Sequence, residues 1–192
     1  ITGTFGINAP PTVDSVILTP IAMDPQSEYS VSVQVTETDT INDLSTVVLK
    51  LWYDADGGAP TGGEFDSQAA DVQNCAVITW TADAPGGTTY IGSAALTPAA
   101  TSWGLGTCAL PTKAGKEPGD FGLPTFTFSF VFTVGKVATE STSPNWQIAA
   151  KATDTMSQND WNKDGEGAAM NFYGEITVPT GITVSWAGLA PG

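Results

Sequence analysis

The stretch that decides the fold is 124–134, Pro-Thr-Phe-Thr-Phe-Ser-Phe-Val-Phe-Thr-Val. Phe126, Phe128, Phe130 and Phe132 alternate with Thr127, Ser129 and Val131. Side chains of an extended chain project to opposite faces with a period of two, so this pattern predicts a strand with one buried aromatic face. A helix would scatter the four rings around its circumference. The same alternation recurs at 28–37 (Val31, Val33, Val35) and at 45–54 (Val47, Leu49, Leu51, Tyr53). It returns at 145–154 (Trp146, Ile148, Ala150) and at 169–178 (Met170, Phe172, Ile176, Val178). Further strands are expected at 13–19, 75–81 and 182–186. No apolar pattern of period 3.6 extends beyond two turns.

Strands separated by turn residues, with no helices between them, predict an all-β protein. The expected form is an antiparallel immunoglobulin-like β-sandwich with long loops. The Gly/Pro/Ala-rich stretches 55–74 and 82–123 read as those loops, with a short hairpin inside 88–105. Neither holds enough large apolar residues for a core of its own. The division is therefore an N-terminal strand and stiff linker, 1–12, followed by one sandwich domain, 13–192.

Composition restricts the chemistry. The 192 residues carry 20 Asp+Glu against 6 Lys+Arg, a formal net charge of −14, and they include no histidine. All six cations are lysines. Nucleophilic sites that rely on imidazole and zinc sites built on histidine are excluded, and no enzyme is expected. So large an acidic excess repels phosphate backbones and anionic lipid, which argues against nucleic-acid partners and membrane insertion. Polarity comes from 27 Thr and 13 Ser, with 41% hydrophobic residues to supply a core. Thr-rich, charge-poor surfaces and the start at Ile1 suggest an exported protein whose signal peptide has been removed, at an extracellular or cell-surface location.

Cys75 and Cys108 are the only cysteines. In an oxidising compartment their expected state is a disulfide, and two buried free thiols are the alternative.

Three groups of residues suggest function. The first is Ile1–Asn8, ITGTFGIN, which places Ile1, Gly3, Phe5 and Ile7 on one face of an extended strand. Pro10-Pro11 then stiffens the link to the body. Such a strand either folds back as an edge of its own domain or is donated to a neighbouring copy, making the chain its own partner in a homopolymer. The second is Asp160-Trp-Asn162-Lys-Asp164-Gly-Glu166, which matches D-x-N-x-D-G. Oxygen ligands at alternate positions followed by a glycine turn point to calcium, held by Asp160, Asn162, Asp164 and Glu166. Position twelve is Asn171 in place of a bidentate Glu, so the motif is no EF-hand, and a polar hairpin turn is the competing reading. A further acidic group at Glu37, Asp39, Asn42 and Asp43 is separated by one strand from Asp54 and Asp56, and the two are not expected to converge. Glu64, Asp66 and Asp71 read as solvated. The third group is Trp52, which falls opposite the Val47/Leu49/Leu51 face, with Trp103 and Trp161, which are expected in loops. They suggest either a subunit contact or stacking against surface glycans.

The run IAMDPQSEYSVSVQVTETDTINDLSTVVLKLWYDADG (21–57) resembles secreted archaeal and bacterial immunoglobulin-like surface domains. So does the pattern W-x-I-x-A-x-A-T-D at 146–154 together with MNFYGEITV at 170–178. A short apolar strand ahead of a sandwich is similar to subunits of archaeal bundling pili and of camelysin-like biofilm-matrix fibres. That resemblance implies a structural subunit that donates its first strand to the next copy. The alternative is a calcium-binding carbohydrate-recognition module or adhesin domain.

Overall fold

The computed structural model describes residues 8–38, 41–83, 92–98, 103–110 and 124–175. Most are in strands: β1 (Thr12–Thr19), β2 (Ala22–Met23), β3 (Glu28–Thr36), β4 (Leu44–Tyr53), β5 (Cys75–Ala82) and β6 (Gly92–Thr97). These are followed by β7 (Gly104–Leu105), β8 (Thr125–Thr133), β9 (Ser141–Asp154), β10 (Asn159–Lys163) and β11 (Ala168–Met170). One sheet has the order β1-β3-β8-β7, and the other has β2-β11-β9-β4-β5-β6, with β10 also paired to β9.

The two sheets meet over one apolar core, built by the alternating residues. Val31, Val33 and Val35 of β3 lie opposite Phe130, Phe128 and Phe126 of β8. Across the core, β4 contributes Val47, Leu49 and Leu51, and β9 contributes Trp146, Ile148 and Ala150, all fully buried. Trp80 of β5 meets Phe128 edge-on with ring centres 5.0 Å apart. Aromatic pairs in this geometry add to the area they bury.

The all-β expectation holds, with several corrections. The sheets are not purely antiparallel, because β11 pairs with β2 in parallel. The expected strand 169–178 ends at Met170 among the described residues, and 182–186 lies outside them. Among the described residues of 88–105 no hairpin forms, since β6 pairs with β5. Pro98, which has no N–H to offer a ladder, follows β6, and β7 pairs instead with β8 of the opposite sheet. The stretch 55–74 is not all loop, since α1 (Gly62–Ser67) forms there. Its start is a capping box: Thr61 accepts the Glu64 N–H while the Glu64 carboxylate accepts the Thr61 N–H.

Helix α1 explains why β4 is apolar on both faces. It covers the outer face of the larger sheet, where Trp52, Phe65, Cys75 and Ala149 form a second cluster. Lys50 reaches the helix from β4 and donates to the Phe65 and Gln68 carbonyls at 2.6 and 2.8 Å. This caps the helix end electrostatically. No helix among the described residues is long and apolar enough to cross a membrane.

Candidate functional site

The D-x-N-x-D-G motif is half strand. Asp160 and Asn162 lie in β10, whose register against β9 runs from Asn159↔Thr153 to Lys163↔Ala149. Alternate residues of a strand share a face, so Asp160, Asn162 and Asp164 project together. They project onto the backbone of β1. The Val13 N–H donates to Asp160 Oδ2 at 2.9 Å. Asn162 Nδ2 donates to the Val13 carbonyl at 2.8 Å and to the Asp14 carbonyl at 3.2 Å. The Leu18 N–H donates to Asp164 Oδ2 at 2.7 Å. Asp164 Oδ1 accepts the Glu166 N–H at 3.1 Å, closing the turn.

This arrangement gives the motif a structural role that a cation loop does not require. Asp160 Oδ2, Asn162 Oδ1 and both Asp164 carboxylate oxygens are engaged by backbone N–H groups along the strand and its turn. Among the described residues no three acidic or sulfur side chains cluster as a metal site would require. The side chains act instead as a clasp. β1 ends the smaller sheet, and its outward N–H and C=O groups would be exposed there. The clasp satisfies several of them and ties that sheet to β9 through β10. A bulge at Asp14 interrupts the β1–β3 register at the same place.

The cysteines do not bridge. Both are free thiols, in different surroundings. Cys75 lies under α1 with Trp52 and Phe65, on the outer face of the larger sheet. Cys108 runs beside β8, where its Sγ accepts the Val131 N–H at 3.3 Å. Burial pushes the Cys75 thiol up to about 11, against a smaller opposing pull from Lys50. Lys50 is in turn held below the ordinary lysine range, first by burial.

The tryptophans expected at the surface are largely internal. Trp52 and Trp103 are 2% and 4% exposed. Trp103 stands between the sheets, its ring centre 6.0 Å from Trp146, and its indole N–H donates to the Val72 carbonyl at 2.9 Å. Trp161 is half-buried against the α1 cluster, and a Cβ at Gly62 would come within 2.8 Å of its indole nitrogen. These rings pack the protein; they do not form a stacking platform. Alternation marked Trp52 as off the core face, but a second covered face was not visible in the pattern.

The remaining acids are separated. Asp43 accepts the Thr155 hydroxyl at one end of β4, whereas Asp54 and Asp56 lie beyond its other end. The Asp54 carboxyl is held above the usual range, first by partial burial and then by Asp56 and Glu64 nearby. The acids of 64–71 are not merely solvated. Glu64 caps α1, Asp66 pairs with Lys151 at 2.8 Å, and Asp71 Oδ1 accepts the Gln73 and Asn74 N–H groups. Glu37 is completely buried, and Asp39 lies outside the described residues. A polar cleft of about 410 Å³ opens beside Tyr53, Glu140, Ser143 and Asn145.

Ile1, Gly3, Phe5 and Ile7 also lie outside the described residues. The described chain starts at Asn8, whose Nδ2 donates to Asp154 Oδ2 at 2.8 Å. Asp154 is buried at the end of β9, and its Oδ1 also accepts the Gln158 N–H.

Among the described residues the sheets present strand edges, and one of them, β1, is clasped. Comparison with known protein families, curated proteins and solved structures finds no match.

Proposed function

We propose that the chain is a secreted, immunoglobulin-like structural subunit that polymerises into an extracellular filament or pilus-like surface assembly. Each copy donates residues 1–8 to a neighbour. Backbone hydrogen bonds supply the affinity, and Ile1, Phe5 and Ile7 set the register by filling apolar positions. One observation carries the reading. An uncharged, strand-patterned segment and a Pro10-Pro11 link precede two described sheets that are built wholly from Thr12 onward. Anchoring of Asn8 on Asp154 gives that segment a fixed point of departure.

Removal of residues 1–10 tests the reading. Electron microscopy and sedimentation should show filaments only for the full chain, with the melting of the sandwich changed by a few degrees at most. Filaments of the same form from the shortened chain would refute donation. A carbohydrate-recognition role has one observation in its favour, the polar cleft beside Tyr53. Glycan binding lost on Tyr53→Ala would support it.

A further inference from the structure

We propose that β6 is the edge onto which residues 1–8 of a second copy are added. This rests on the strand-donation reading and specifies where the donated strand docks. A docking strand needs a row of outward N–H and C=O groups on a terminal strand. Among the described residues the sheets end on β1 and β7 in one case and on β2 and β6 in the other. The clasp and the Asp14 bulge close β1. β2 and β7 have two residues each, too few to hold a register. β10 carries Asp160 and Lys163, the kind of charge that guards an edge.

β6 differs in each respect. It has six residues, Gly-Ser-Ala-Ala-Leu-Thr, without a charge, a proline or a bulge. Its register to β5 is unbroken from Ala82↔Gly92 to Val77↔Thr97. In an antiparallel pair alternate residues turn their backbone groups away from the partner, so half of this strand offers its groups outward. Its inward face is small: at Gly92 an added Cβ would lie 2.2 Å from the Trp80 indole nitrogen, and Ala94 follows. A strand laid outside β6 would set its own inward side chains beside Ala94, Leu96 and Trp80, continuing the core. Large Ile1, Phe5 and Ile7 against small Gly92 and Ala94 are complementary in volume.

Composition and length select the occupant. Residues 1–8 have no charged side chain and extend to roughly 26 Å, enough to span a strand of about 20 Å. Asn8 is fixed at β9, whereas β6 lies three strands away across β4 and β5, roughly 14 Å. Donor root and acceptor edge are therefore different surfaces, a heterologous contact that builds open filaments in place of closed dimers.

The test places p-benzoylphenylalanine at position 5 of the full chain. Isotope-labelled and unlabelled copies are mixed, irradiated and mapped by mass spectrometry. The expected products join residue 5 of one copy to residues 92–97, or to the adjoining 77–82, of another. Cross-links between copies that map to β1, β2, β7 or β8 overturn the β6 assignment and leave donation standing. Cross-links confined to single chains at every concentration, or none in formed filaments, overturn both. As a second arm, Ala94→Pro and Ala95→Pro remove N–H groups that point to opposite sides of β6. The variant that keeps the native circular dichroism should raise the critical concentration by about tenfold or more. Wild-type assembly by that variant refutes the assignment.

Discussion

Cys75 shows how much one buried atom changes behaviour. An exposed thiol ionises near 9, but in the folded chain Cys75 holds its proton to about 11. Between those values the native state binds more protons than the unfolded state, so stability falls as pH rises through the window. Lys50 acts in the opposite sense: its folded value is lowered by burial, so it releases its proton before the unfolded lysine does. Urea unfolding at pH 8.5 and at pH 11 should therefore show a loss that shrinks by about 2 kcal/mol in Cys75→Ala, after discounting for partial screening. An identical loss in the variant would show that the thiol stays protonated in neither state. Alkylation without denaturant should be slow at Cys75, as a buried, protonated thiol reacts poorly.

At the scale of elements, the clasp between β10 and β1 is the feature with the clearest consequence. Asp164→Ala strands the Leu18 and Glu166 N–H groups, and hydrogen bonds to a charged acceptor contribute about 1.5–3 kcal/mol each. Chemical denaturation should show a loss of about 2 kcal/mol, and hydrogen exchange should speed up at the Leu18 amide. Glu166→Ala, at an exposed turn, should change stability by less than about 0.5 kcal/mol. A cation site would make both substitutions lower calcium affinity, so calorimetric titration separates the two roles. Several elements were legible locally. β3, β4, β8 and β9 follow from alternation, and β1 and β5 were expected from the local sequence as well, with ends displaced by a few residues. Helix α1 has six residues, too few for helical periodicity, and only Thr61-x-x-Glu64 could have announced it. The parallel β2–β11 pair and the crossing of β7 to β8 depend on partners distant in sequence, which no local pattern encodes.

At the scale of the whole molecule, the net charge of −14 opposes any assembly of copies. Screening shortens the range of that repulsion, with a Debye length near 30 Å at 0.01 M salt and about 3 Å at 1 M. The critical concentration for filaments should accordingly fall as sodium chloride is raised over this range, measured by light scattering. Calcium and magnesium at matched ionic strength should act alike. A calcium effect at micromolar concentration would show a specific site.

The sequence by itself determined that this is a β protein with an aromatic and β-branched core, an acidic composition and an uncharged N-terminal segment. Period-two patterning and composition are local properties, and they survive whatever the strands pair with. Only the tertiary structure decided which backbone groups the polar motif engages, because D-x-N-x-D presents the same oxygens to an ion or to a backbone. The proximity of β1, almost 150 residues earlier in the chain, assigned them to its edge. It likewise decided that Trp52 and Trp103 are internal and that Cys75 and Cys108 stay apart, since burial depends on which faces become covered. Among the described residues, that same clasp covers the β1 edge, while β6 is the last strand of its sheet.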